Sequence, residues 1–180
     1  MGRIRLVLCA ALALTCASGF VSSAHAAIYR FDAILDQAQE TTTPAPVLFA
    51  HGTGSVFYDD ISHGLSWTII FGGLSGAPTA AHIHIGDVGV AGVPIVDLGA
   101  FIPVIGPGFG VYVGGDALPA LHSAALLGED TYINIHTSLN PAGEIRGQLL
   151  FHSVVVPVPA AGVLLASALG ALALRRRRHA

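Results

Sequence analysis

From Ala81 onward, the stretch Ala80-Ala81-His82-Ile83-His84-Ile85 alternates between aliphatic and imidazole side chains. A period of two belongs to an extended strand, in which successive Cβ atoms point to opposite faces. Ala81, Ile83 and Ile85 therefore mark a core face, and His82 and His84 project together from the other. A later stretch repeats the pattern: in Tyr132-Ile133-Asn134-Ile135-His136-Thr137 the isoleucines take one face and Tyr132, Asn134 and His136 the other. Two such strands set the reading of the whole chain as β.

Outward from these, strands are expected over Ile28 to Leu35, Gly54 to Asp60, Leu65 to Gly72, Pro94 to Leu98 and Gly108 to Val113, separated by Gly, Pro, Asn and Asp. In Leu65 to Gly72, Leu65, Trp67, Ile69 and Phe71 share one face. Leucines at helical spacing over Leu118 to Leu127, stopped by Gly128, predict one short helix. Strands Thr131 to Thr137 and Glu144 to Phe151 form a hairpin across Ser138 to Gly143, and Gly99 to Gly110 reads as loop. This spacing of strands and turns points to an all-β, antiparallel β-sandwich with one short helix.

The two ends differ from the middle. Hydrophobic residues make up 53% of the 180 and charged residues only 11%, and the excess is terminal. Met-Gly-Arg-Ile-Arg, then apolar Leu6 to Leu14, then Ala24-His25-Ala26 has the charged, apolar and small-residue order of a secretory signal peptide over residues 1–26. Both cysteines, Cys9 and Cys16, fall within it, so the exported domain has no disulfide or thiolate site and depends on its core. At the other end an apolar run from Val154 to Leu174 is long enough for a spanning helix, and Arg175, Arg176, Arg177 and Arg178 follow it as a cytoplasmic cluster. The expected organisation is thus signal peptide 1–26, β-domain 27–153 and tail 154–180.

The tail, with Val156-Pro157-Val158-Pro159-Ala160 ahead of the apolar run and the arginines, resembles the sorting signal of the bacterial PEP-CTERM class in a VPxPA-like variant. That resemblance implies secretion across the inner membrane, a transient membrane anchor, processing by signal peptidase and an exosortase, and delivery to the cell surface or extracellular matrix. Pro157 and Pro159 with the four arginines would be the signal residues. Without the two ends, Arg30 and Arg146 face all eleven acids, a formal charge of about −9. Such a surface opposes nucleic-acid binding, where phosphates need Lys and Arg, and favours cations.

Residues i and i+2 of a strand lie about 7 Å apart, from which two imidazoles can converge on one ion. His82 and His84 need a third donor. His136 supplies it if its strand neighbours theirs, with His63 as a supplementary ligand and Asn134 hydrogen-bonded to a ring nitrogen to fix its tautomer. Imidazole suits copper, zinc or nickel better than calcium or magnesium, so copper or zinc is the cofactor this reading implies. The other reading, polar side chains on a solvated strand face, stands beside it. Glu144, Arg146 and Gln148 share a face of the last strand, and Arg146 is expected to form a salt bridge with Glu144 or Asp87. Gly147 marks a bulge or a close backbone approach.

Three blocks together, Ala81 to Gly86, Tyr132 to Thr137 and Pro141-Ala142-Gly143-Glu144-Ile145-Arg146-Gly147-Gln148-Leu149, resemble the core motifs of the CHRD (chordin-like) domain. The resemblance implies an immunoglobulin-like all-β fold and an extracellular setting, with no settled activity. No nucleophile elbow of the Gly-x-Ser-x-Gly kind is present. A non-catalytic module that binds extracellular polysaccharide, protein or metal is the expectation. The alternative is a metalloenzyme like Cu/Zn superoxide dismutase, suggested by His-x-His plus a distant His on a β-sandwich.

Overall fold

The computed structural model describes residues 26–106, 108–155, 167 and 169. Two compact units divide the chain, residues 26–157 and a unit formed by 1–25 with 158–180. Most of the second unit lies outside the described residues, as do residues 1–25 of the expected signal peptide and the expected sorting residues Pro157, Pro159 and Arg175 to Arg178. Among the described residues no helix is long and apolar enough to cross a membrane.

Ten strands build the first unit: β1 Ile28–Asp36, β2 His51–Asp59, β3 Gly64–Gly72, β4 Pro78–Ile85, β5 Pro94–Asp97, β6 Ile102–Pro103, β7 Gly110–Ala117, β8 Thr131–Thr137, β9 Ile145–Gln148 and β10 Leu150–Val155. They form one antiparallel sheet in the order β5-β4-β8-β9-β1-β2-β3-β7-β6, with β10 also on β1. The all-β antiparallel expectation holds. The two separate sheets of a sandwich, however, are replaced by a single one curled into a half-barrel. The reason is β1, which pairs with β2 along its whole length and, on its other edge, with β10 over Ile28 to Asp32 and with β9 at Asp36, so that it joins the two halves.

The curl brings the two halves face to face. Gly54 of β2 and Ile133 of β8 are three strands apart in the sheet, yet a Cβ on Gly54 would sit 2.6 Å from Ile133 Cδ1. Inward side chains of alternating strands fill the space between: Phe31 and Leu35, Val56, Trp67 and Ile69, Ile83, Tyr112, Ile133 and Ile135, and Ile145. Burying such side chains contributes about 1.5–3 kcal/mol each against the entropy of ordering the chain. No cysteine is needed for a core of this kind.

Several boundaries differ from the sequence reading. The expected helix shortens to a 3-10 turn at Ala120–His122 and one α-helical turn, α1 Ser123–Leu127, because Pro119 precedes it and Gly128 N–H closes on Ala124 C=O at 2.9 Å. The last strand is two strands. Leu149, fully buried, separates β9 on β8 from β10 on β1, and His152 is the extra residue of a bulge between Arg30/Ser153 and Phe31/Phe151. β10 continues through Val154 and Val155, paired with Tyr29 and Ile28, two residues into the expected tail. The stretch read as loop holds the short β6, which is pinned to the start of β7.

Candidate metal centre

β4 and β8 are neighbours, and their register decides the site. His82 stands opposite Asn134, His84 opposite Tyr132, and Ala80 opposite His136. Opposed residues share a face, so all three imidazoles lie on one side of the two-strand ribbon, His136 diagonal to His82. Ring centroids are 5.5 Å apart for His82 and His84, 5.3 Å for His82 and His136, and 5.8 Å for His84 and His136. One nitrogen from each lies within 4.8 Å of the other two.

Hydrogen bonds on the far side of two rings orient them. His84 Nδ1 is 2.9 Å from Gly92 C=O and His136 Nδ1 is 3.1 Å from Pro141 C=O. A carbonyl only accepts, so each Nδ1 carries the proton and each Nε2 keeps a free lone pair. Those two Nε2 atoms and His82 Nδ1 are buried without a hydrogen-bond partner. Burial, with the neighbouring His82 and Arg146 adding to it, holds the His84 pKa below its ordinary value. Burial, with His82 and His84, does the same for His136. Both rings are therefore neutral at physiological pH, the form that ligates.

The spacing fits an ion. Three nitrogens no more than 4.8 Å apart have a common point about 2.8 Å or less from each. Inward movement of about 0.7 Å then reaches the 2.0–2.1 Å of metal–imidazole bonds.

This face is covered, against the reading that made it a solvated strand face. The 86–92 loop lies across it, with Gly92 so close to the strand that a Cβ would fall 1.5 Å from Ile85 C=O. Four side chains from the sheet hold the loop down. Arg146 donates to Asp87 C=O at 2.7 Å and Val90 C=O at 3.0 Å, Gln148 Nε2 donates to Gly86 C=O at 3.0 Å, and Tyr132 Oη and His84 both bond Gly92. The Arg146 guanidinium carbon is 3.5 Å from the Tyr132 ring centroid, and Tyr132 in turn stacks on His84 at 5.1 Å and 16°. The expected salt bridge of Arg146 is thereby corrected. Asp87 accepts through its backbone carbonyl, while its carboxyl bonds Asp130 and raises the Asp130 pKa. Glu144 points elsewhere, accepting from Ser75 N–H and Oγ, Thr137 Oγ1 and Asn140 Nδ2.

Two further expectations are corrected. The Asn134 amide turns to Glu40 and bonds no ring nitrogen, and its Oδ1 is buried without a partner. His63 is not part of the cluster. Its Nδ1 lies 2.7 Å from Tyr58 Oη, at the start of β3, in a left-handed conformation with φ 57°. Gly147 does mark a close approach, since a Cβ there would meet Ile34 C=O at 2.6 Å.

Glu40 is the residue the sequence did not reveal. It follows a 3-10 turn at Gln37–Gln39, capped by Asp36, and its Oε1 is buried without a partner beside Asn134. Burial pushes its pKa up to about 7, against the pull of Arg146 and the Asn134 amide. Its segment is irregular and reaches the site only through long-range ties such as Ala45 N–H to Asn140 Oδ1 at 2.7 Å. No periodicity could have flagged it. A surface groove of about 500 Å³ between β1, β2 and β10, lined by Ile34, Thr53 and Phe151 among others, contains no buried polar atom lacking a partner.

A curled antiparallel sheet with three imidazoles on the face opposite its core, beneath a pinned loop, describes an all-β binding domain. The CHRD domain family model matches residues 31–149, most of the chain, and the protein belongs to that family. The family is in general a non-enzymatic one. No curated protein and no solved structure matches the chain.

Proposed function

We propose that the protein is an exported, surface- or matrix-associated, non-catalytic CHRD-domain module that holds a transition-metal cation between His82, His84 and His136. The observation that carries this reading is a trio of histidines that place one ring nitrogen each within 4.8 Å of the others, every one of them having a buried ring nitrogen without a partner. A purely structural polar strip would satisfy those atoms. The dismutase-like alternative needs an open coordination position for oxygen species, and the burial of the three donor atoms argues against one.

Export is supported by the signal-like N-terminus and the sorting-like tail, with copper or zinc as the cargo that imidazole chemistry favours. A further support is Ala27, whose N–H donates to Asp60 Oδ1 at 2.8 Å. Cleavage after Ala26 would convert that bond into an ammonium–carboxylate pair. Extracellular polysaccharide or protein is the kind of partner such a module meets once the exosortase has removed Arg175 to Arg178.

The test is elemental analysis of the full-length chain, purified in detergent without a histidine tag, beside a His82→Ala/His84→Ala variant. About one equivalent of metal in the parent and none in the variant is expected. Equal content in both would remove the metal reading. Mass spectrometry of protein recovered from the producing cell's surface would show the intact arginine tail if the sorting reading were wrong.

A further inference from the structure

We infer that the three-histidine cluster is built for a monovalent ion, copper(I), in preference to copper(II) or zinc(II), and that Arg146 sets the preference; this rests on the metal reading above. Three observations carry it. The donor set is three neutral nitrogens, with no carboxylate or thiolate within reach of the same point. Divalent zinc takes a fourth ligand and copper(II) four or more, whereas a d¹⁰ monovalent copper ion is satisfied by three. The donor atoms are buried away from the solvent that would supply the fourth.

The third observation is charge. Arg146 is 1% exposed, and its donors go to the Asp87 and Val90 carbonyls and to Gln148 Oε1 at 3.3 Å. Among the described residues it forms no salt bridge. Its guanidinium, Tyr132 and His84 form a continuous stack with steps of 3.5 and 5.1 Å, so a full positive charge lies within about 9 Å of a liganding ring. For an ion at the same distance of about 9 Å, and at an effective dielectric of about 20, each added unit of charge is disfavoured about twentyfold. Glu40, the nearby carboxyl that would offset Arg146, is itself half-neutralised by its burial. A monovalent ion feels this repulsion once and a divalent ion twice.

The experiment measures affinities of the full-length chain for copper(I), by anaerobic competition with bathocuproine disulfonate, and for zinc(II), by competition with a fluorescent chelator. Parallel titrations use Arg146→Met, which removes the charge, and Arg146→Lys, which keeps it; circular dichroism reports folding. Copper(I) held at least a hundredfold more tightly than zinc(II), with an absorption edge typical of three-coordinate copper(I), is the expected result. In Arg146→Met that ratio should fall about twentyfold while Arg146→Lys retains most of it. If Arg146→Met fails to fold, the parent's ratio and absorption edge decide alone. Zinc(II) bound as tightly as copper(I), and lost in His82→Ala/His84→Ala, would overturn this inference and leave the metal reading intact. No binding of either ion would end both.

Discussion

Replacing Glu144 by glutamine tests whether one buried carboxylate holds the hairpin that orients His136. The residue is fully buried, and its two oxygens accept four hydrogen bonds, from Ser75 N–H at 2.6 Å, Ser75 Oγ, Thr137 Oγ1, and Asn140 Nδ2 at 3.1 Å. Glutamine keeps the shape but turns one acceptor into a donor and removes the charge. At least one donor then faces another donor, costing about 1–3 kcal/mol, and each remaining bond weakens from the charged to the neutral range, by about 1 kcal/mol. With partial relief from hydroxyl rotation, a loss of about 3–5 kcal/mol is expected, and the melting temperature should drop by about 10–20 °C. The pH dependence is a second signature. Burial tends to raise the Glu144 pKa, but the bonds from Ser75, Thr137 and Asn140 outweigh it and hold the pKa below the ordinary 4.5. A folded-state pKa below the unfolded one stabilises above the ordinary carboxylate range and is lost as pH falls through the folded value. Urea denaturation monitored by circular dichroism at pH 7 and at pH 3 should therefore show the parent–variant gap narrowing in acid. A loss under about 1 kcal/mol at pH 7, or a gap that does not change with pH, would refute the reasoning.

Glu40→Gln should do the opposite. With a folded pKa raised to about 7 from 4.5, Glu40 favours the folded state below its unfolded pKa, and that contribution disappears as pH rises through about 7. The variant should gain up to about 3 kcal/mol over the parent at pH 8 and nothing at pH 4, measured by urea denaturation; parallel profiles would contradict the assignment. Gly143→Ala combines a φ of 136° with a Cβ 2.6 Å from Asn134 Nδ2, Asn134 Oδ1 and Glu40 Oε1. A loss of about 2–4 kcal/mol in thermal melts is expected, and an unchanged melt would mean that the Glu40 segment yields freely.

Local alternation made most of the fold legible, since a strand with one buried face writes its period into the sequence. β3 and β4 were read nearly to the residue for that reason, and His82, His84 and His136 followed from the same rule. What failed was non-local. The strand expected to end at Val113 runs on to Ala117, where Gly114 lies opposite Trp67 and a Cβ there would strike the indole at 2.9 Å. The break at Leu149 is set by a change of partner from β8 to β1. The salt bridge expected of Arg146 failed because backbone carbonyls of a distant loop, which no sequence pattern reports, reached the guanidinium first.

β8 explains why a metal reading follows from the fold as much as from the histidines. Six of its residues are buried and only His136 is partly exposed, so both faces are covered. The Ile133 and Ile135 face is satisfied by apolar packing. The other face holds Tyr132, Asn134 and His136, and with its neighbours contains five buried atoms without partners: Glu40 Oε1, Asn134 Oδ1, His82 Nδ1, His84 Nε2 and His136 Nε2. Each such atom costs about 1–3 kcal/mol. The three nitrogens alone would then take about 3–9 kcal/mol from a domain whose whole stability is about 5–15 kcal/mol. Protonating the rings is no remedy, because burial and mutual repulsion depress the His84 and His136 pKa values. Leucine at these positions would remove the penalty and fit the covered face. Retaining three clustered imidazoles with partnerless ring nitrogens is physically consistent with a partner that accepts electron pairs, and a cation is the partner that satisfies all three at once.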